Sequence, residues 1–297
     1  MEFSFAPATK AQAKARIAYA GPSGSGKTYT SLITATALGG RIAVIDTERG
    51  SASKYADQFT FDSLSMHKYD PRDLVKALSA AGTAGYDVVI VDSLSHFWMG
   101  TGGMIEQADQ AAKRSGGGNS FAGWKEARPM ERAMVDALLA YPGHVIVTMR
   151  TKTEYVVDEN ERGRKVPRKI GTKPEQRDGI EYEFDIVGDL DLENTLIVSK
   201  SRCKALAKAV IREPGEDFGE QVLAWLTDGA DPGMSIAEVR RKALDPATTF
   251  EELGALYKAE ESIGRLGAAI PDETGDPTTL GVLLSRLGTV RKPKATA

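Results

Sequence analysis

Gly21-Pro22-Ser23-Gly24-Ser25-Gly26-Lys27-Thr28 is the stretch on which the fold turns. It matches G-x-x-x-x-G-K-[ST] in full. A short apolar run, Arg16–Ala20, precedes it, and a helical pattern follows from Lys27 to about Leu38, stopping at Gly39-Gly40. The spacing has a physical logic. Glycines let the backbone curl so that successive N–H groups converge on phosphate oxygens, and the helix N-terminus adds partial positive charge. Lys27 can reach the β- and γ-phosphates, and the Thr28 hydroxyl can ligate Mg²⁺. A Gly-rich turn of the same spelling needs no strand before it and no helix after it. The stretch therefore predicts a nucleoside triphosphate site, with Gly21 to Thr28 as its cradle.

Working outward, Arg41–Asp46, Asp87–Asp92 and His144–Met149 are short apolar runs of the kind buried on both faces of a parallel sheet. Asp70-Pro71 reads as an N-cap and first-turn proline opening a helix to about Ala81, and a second helix is predicted from Met130 to Tyr141. Further strands are predicted over Glu183–Leu192 and Thr195–Lys200. Strands alternating with helices imply an α/β fold, a mostly parallel central sheet flanked by helices. Two long connections stand apart: 98–125 holds seven glycines, and 150–178 is polar and basic. Loops of that length in a compact domain are usually functional or disordered. From about Asp228 the pattern turns helical, with helices expected over Ser235–Leu244, Thr249–Leu266 and Thr278–Leu287. The expected organisation is a core over 1–230 and a small helical unit over 231–297 with a frayed tail.

Two carboxylates complete the candidate site. Asp92 ends an apolar run and so reaches the carboxyl edge of the sheet, where it can hold Mg²⁺ through water; the alternative is a capping residue for the turn at Ser93. Glu48, just past the second strand, can orient and deprotonate an attacking water, or be a solvated loop acid. Asp46 reads as structural.

Charge needs a segmental reading. The whole chain carries −3, which argues against a nucleic-acid partner. Residues 150–178, however, hold nine basic against six acidic residues, a local +3 that leaves −6 for the remainder. Arg150, Lys152, Arg162, Arg164, Lys165, Arg168, Lys169 and Lys173 could attract a phosphate backbone, and Tyr155, or Phe121 and Trp124 in the first long connection, could stack on bases. The alternative is a solvated hairpin pairing Glu154–Val157 with Lys165–Ile170, which could also present the basic strand. Cys203 is the single cysteine, so no internal disulfide forms, and with only three histidines a Cys/His metal site is not expected. No apolar run approaches the ~20 residues that cross a bilayer, and the start of the sequence lacks a secretory pattern. A cytoplasmic protein, without a membrane partner, is the expectation.

Taken together, the phosphate loop, Ile45-Asp-Thr-Glu48 and Ile90-Val-Asp92-Ser-Leu94 resemble the RecA superfamily of P-loop ATPases. The resemblance runs in order through most of residues 10–205. It is nearest to the phage RecA-like single-strand annealing recombinases, on Arg150-Thr-Lys-Thr-Glu-Tyr155 and Lys173-Pro-Glu-Gln-Arg-Asp-Gly-Ile-Glu-Tyr-Glu-Phe184. It implies a RecA-like core that hydrolyses ATP with Mg²⁺ at an inter-subunit site, stimulated by DNA. Glu48 would be the catalytic carboxylate, and Lys200 and Arg202 basic residues acting on a neighbouring subunit's nucleotide. Thr148 and Arg150 are candidates for sensing the γ-phosphate. The implied partners are single-stranded DNA, further copies in a filament or ring, and a single-strand-binding protein, in a bacterial host cytoplasm. The competing readings are a RecA-like helicase or loader ATPase, and a nucleotide-dependent scaffold that makes no DNA contact.

Overall fold

The computed structural model describes residues 12–114, 120–159, 165–229, 234, 236–262, 264, 266–274 and 276–292. Two units are present, Met1–Gly229 and Ala230–Ala297. In chain order the first contains β1 (Arg16–Gly21), α1 (Lys27–Leu38), β2 (Ile42–Asp46), β3 (Asp62–Ser65), α2 (Pro71–Thr83), β4 (Val88–Asp92), α3 (Ser95–Met99), α4 (Met104–Arg114) and α5 (Ser120–Ala140). It continues with β5 (His144–Glu159), β6 (Lys165–Pro174), β7 (Ile186–Leu190), β8 (Thr195–Ser201), β9 (Val210–Arg212) and α6 (Glu216–Thr227).

The strands form one sheet in the order β3-β2-β4-β5-β1-β7-β8-β9, with β6 paired to the far half of β5. Strands from β3 to β7 run parallel; β8 and β9 are antiparallel additions. The apolar runs lack alternation because both faces are covered. Ala18, Val89, Val91, Val145 and Val147 meet Leu74 and Leu78 of α2 and Met134 and Leu138 of α5. Ile17, Tyr19, Val44, Ile90 and Ile146 meet Leu32 and Leu38 of α1 and Phe218 and Val222 of α6. Asp70 caps α2 as its sequence suggests, its side chain accepting from Arg72 N.

Three expectations need correction. Residues 98–125 are largely helical: α3, α4 and the start of α5 occupy them. Gly100, Gly102 and Gly103 serve the short turn between α3 and α4, while Gly123 lies inside α5, where a side chain would collide with the Ala108 carbonyl. The seven-glycine count thus mixed turn glycines with one required by close helix packing. Second, α5 begins at Ser120 rather than Met130 and carries Pro129 in its interior, packing of Ala127, Met134 and Leu138 overriding local propensity. Third, β7 starts at Ile186; Ile180–Glu183 form a 3₁₀ turn. The polar segment after Met149 is a β-hairpin, with Val157 opposite Pro167 and Glu159 opposite Lys165.

The second unit packs α7 (Ile236–Leu244), α8 (Phe250–Ser262) and α9 (Leu280–Arg291) around Val239, Leu253, Leu256, Leu283 and Leu284. It also carries a small hairpin, β10 (Ala269–Pro271) with β11 (Pro277–Thr279), that the helical pattern did not announce. Among the described residues no helix is long and apolar enough to cross a membrane.

His144, at the amino edge of the sheet, is a buried histidine with its Nδ1 accepting from Ala15 N at 3.0 Å. Burial above all, then the charges of Lys14 and Arg16, pushes its ring down to about 4. The unfolded chain therefore takes up a proton near pH 6.5 that the folded chain refuses until about pH 4, so stability falls as pH drops through that window. The loss approaches about 3 kcal/mol by pH 4. His144→Asn, whose carbonyl can still accept from Ala15, should flatten the difference in urea midpoint between pH 7 and pH 4.5; an unchanged slope would place the effect elsewhere.

Candidate nucleotide site

The parallel strands deliver their carboxyl ends to one edge of the sheet, and the candidate residues collect there in a cleft of about 950 Å³. Gly24 (φ 83°) and Gly26 (φ 82°) adopt the left-handed conformation that curls the loop after β1. A side chain at Gly24 would project into open space, and one at Gly26 would meet Asn194 Oδ1 at 2.8 Å. Ser25 Oγ is buried without a hydrogen-bond partner among the described residues. Lys27 Nζ donates to the carbonyl oxygens of Gly21 (2.8 Å) and Pro22 (2.7 Å), and burial, ahead of the charges of Asp92 and Glu48 that oppose it, lowers its pKa.

Although β5 separates β4 from β1, Thr28 and Asp92 meet. Thr28 Oγ1 donates to Asp92 Oδ2 at 2.7 Å, and Thr148 Oγ1 donates to Oδ1 at 2.5 Å. Asp92, joined to Ser93 by a cis peptide bond, is buried and forms no ion pair among the described residues. Burial raises its pKa, against the hydrogen bonds from Thr148 and Thr28 and with the help of the charges on Glu48 and Asp46. A buried carboxylate with a hydroxyl oxygen beside it and no ion-pair partner among the described residues is a hard-oxygen set that fits Mg²⁺, an ion held by few protein ligands together with phosphate and water.

Glu48 lines the same cleft from the loop after β2. Asp46 shapes that loop, its carboxylate accepting from Glu48 N and Gly50 N, both at 2.6 Å. Arg150 holds Glu48 in a two-pronged pair, Nε to Oε1 at 2.9 Å and Nη2 to Oε2. Burial works to raise the Glu48 carboxyl, but Arg150 and then His96 outweigh it and leave the group below the usual glutamate range. Arg150 also occupies a seam in the fold: its Cα is opposite Gly21 of β1, and Thr151, the next residue, begins the pairing with β6. Of the residues read as a DNA-facing set, Arg150 is thus inside the nucleotide cleft.

The others are distributed as follows. Lys152 and Lys173 are cross-strand neighbours at the base of the hairpin, and Lys173 pairs with Asp178 at 2.6 Å. Tyr155, Lys165, Arg168 and Lys169 belong to β5 and β6, with Tyr155 opposite Lys169. Arg162 and Arg164 lie outside the described residues. Trp124 stacks on Trp98 (5.4 Å), and Phe121 is exposed. Lys200 and Arg202 are not brought to the cleft. Because β8 runs antiparallel, Lys200 sits opposite Val187, at the other edge of the sheet. There Lys200 Nζ donates to the carbonyls of Glu181 and Tyr182, and Arg202 pairs with Asp185 at 2.9 Å.

Sequence reasoning missed part of the cleft's lining. Tyr29, Ile33 and Tyr55 give it flat and apolar surface, with Tyr29 and Tyr55 edge to face at 5.7 Å. Asn194, Glu213, Pro214 and Gly215 line it as well. Asn194 (φ 57°) and Glu213 (φ 49°) both hold left-handed backbone, tied by Glu213 N donating to Asn194 O at 2.9 Å. Strained backbone of this kind gathers at ligand sites. An Asn in a polar turn was the one available signal; nothing in the local sequence marks Tyr29 or Tyr55.

A family model described as AAA domain matches residues 13–213, which covers the sheet and every residue of the cleft up to Glu213. The chain belongs to the AAA domain family. No curated protein matches it. Membership in this P-loop ATPase-like family agrees with the phosphate loop and the mostly parallel sheet flanked by helices.

Proposed function

We propose that this AAA domain protein hydrolyses ATP and uses the nucleotide state to control binding of single-stranded DNA, as an annealing recombinase of the phage RecA-like kind. The observation that carries the ATPase reading is the convergence of Lys27, Thr28, Asp92 and Glu48 on one cleft. Backbone N–H groups of Ser23–Thr28 and the Lys27 ammonium bind the phosphates. Thr28 and Asp92 would hold Mg²⁺, which when bound screens charge on the phosphate oxygens. Glu48 orients a water and accepts its proton. Tyr29 and Tyr55 offer the base a flat apolar wall. Lys200 and Arg202, on the far edge of their own sheet, could reach a nucleotide only in another copy, which accords with a filament or ring.

The DNA reading is supported by one structural continuity. The strand that places Arg150 beside Glu48 is the strand that continues into the basic hairpin. The test is binding and annealing of labelled oligonucleotides at low salt, with ATP turnover followed in parallel. Wild type is expected to bind and to turn over faster with DNA. Arg168→Glu with Lys169→Glu should weaken binding by roughly tenfold or more, since two cationic contacts become repulsive. If DNA neither binds nor alters turnover, the recombinase reading fails. Nucleotide-driven assembly indifferent to the double variant would put a scaffold in its place.

A further inference from the structure

We propose that His96 is a positioning residue for Glu48, holding the loop of that carboxylate through the Thr47 hydroxyl and changing its hold when the ring gains a proton. The proposal rests on the reading of Glu48 as the base for ATP hydrolysis.

His96 lies on α3, four residues past Asp92, and does not line the cleft. Its side chain is 13% exposed, and its ring stacks on Tyr69 with centroids 4.8 Å apart and planes 18° apart. Tyr69 in turn donates its hydroxyl to Thr47 O at 3.3 Å. His96 Nδ1 stands 2.7 Å from Thr47 Oγ1 and 4.0 Å from Glu48 Oε1. Thr47 is the pivot. Its N–H donates to Asp92 O at 2.7 Å, its Oγ1 accepts from Ser93 N at 2.6 Å, and Glu48 is the next residue.

A hydroxyl has a single proton to give. With a neutral ring carrying its hydrogen on Nε2, Thr47 gives that proton to Nδ1. With a protonated ring, Nδ1 becomes a donor and the Thr47 proton must turn to Ser93 O, 3.2 Å away. The same event brings a cation to Glu48, which favours the carboxylate's ionised form and makes it a poorer proton acceptor. The charged groups facing the ring are Arg150 on β5, Glu48 and Arg49 on the loop after β2, and Glu175 after β6. Burial foremost, then Arg150, lowers the ring below its ordinary value against the pull of Glu48 and Glu175. The ring is therefore neutral at pH 7, and the hold changes as pH falls below about 6.5.

The test pairs nitrogen-15 NMR of the nucleotide-free full chain, which has three histidines, with pH profiles of ATP turnover. His96 should appear as the Nε2–H tautomer and titrate below 6.5, and Glu48→Gln should move that titration lower still. His96→Phe keeps the stack on Tyr69 and removes Nδ1. It should lower kcat roughly tenfold, a fraction of what a general base supplies, with KM for ATP within about twofold, and should remove the His96 ionisation from the acidic limb of the profile, leaving only that of Glu48. His96→Asn, which keeps a hydrogen-bonding atom near Nδ1, should restore most of kcat without the His96 ionisation, and it serves alone if the phenylalanine variant does not fold. Wild-type kcat and an unchanged acidic limb in either folded variant would overturn the His96 proposal alone. Wild-type turnover that does not depend on Glu48 would overturn the reading beneath it as well.

Discussion

Glu48→Gln is expected to slow ATP turnover by roughly 10²- to 10⁴-fold, the usual worth of a positioned base, while ATP still binds. The amide has nearly the shape of the carboxylate and can keep one of the two hydrogen bonds from Arg150, but it has no oxygen able to take a proton from water. The phosphate loop and Lys27 do not depend on residue 48 for their hydrogen bonds, so affinity should be equal to or tighter than wild type once a negative charge has left the cleft. In the arrangement with Arg150 bound across both oxygens, Glu48 is a weak base, held below the ordinary glutamate range. On the proposed reading, an incoming γ-phosphate would compete for the same guanidinium, and losing Arg150 would raise the carboxyl toward the value a base needs. Single-turnover hydrolysis alongside titration with a fluorescent ATP analogue separates the two effects. A variant that hydrolyses at the wild-type rate would reduce the Glu48–Arg150 pair to a structural one and leave the base unassigned.

What was legible in the sequence follows the range of the interactions involved. The phosphate loop, α1 and the strands that end at Asp46 and Asp92 are local matters: glycine geometry, an apolar run of strand length, a cap. Their placement at one edge follows from parallel connections, so Lys27, Thr28, Asp92 and Glu48 could be expected together before any coordinates. The pair Glu48–Arg150 joins residues 102 apart, and nothing local to either residue announces it. Arg150 stands in two readings, with the basic hairpin and as a candidate γ-phosphate sensor, and its place in the cleft suits the second, since β5 keeps it in the sheet for one residue more than the apolar run suggests. The direction of β8 is likewise invisible locally, yet it decides that Lys200 and Arg202 stand across the sheet from the nucleotide cleft. Glycines misled over 98–125 because a glycine needed for helix contact, such as Gly123, is spelled like one needed for a turn.

Asp92→Asn should do two opposite things: raise the unfolding midpoint of the nucleotide-free protein and cut Mg²⁺-dependent turnover by more than about 100-fold. The carboxyl is buried, and its pKa is raised by that burial despite the hydroxyls of Thr148 and Thr28. An acid raised above its unfolded value binds its proton more tightly when folded. Wild-type stability therefore falls as pH rises from the unfolded value of 3.8 through the folded one, and the loss persists at pH 7. Asparagine has no proton to lose. Its carbonyl can accept from Thr148, and its amide can donate to the Thr28 oxygen. At pH 7 the variant should melt roughly 2–4 °C higher, the shift that about 1 kcal/mol gives a domain of this size, and the gap should narrow toward pH 4. Saturating MgATP should reverse the order, because ligand at 100 times its Kd adds about 2.7 kcal/mol to a protein that binds it, and the variant has lost the carboxylate that would anchor the cation. Thermal melts at pH 7, 5 and 4, with and without MgATP, read both effects. If the variant melts below wild type at pH 7 without nucleotide, the hydrogen bonds from Thr28 and Thr148 outweigh the cost of the buried charge, and Asp92 is part of the frame rather than a carboxylate held ready for a cation.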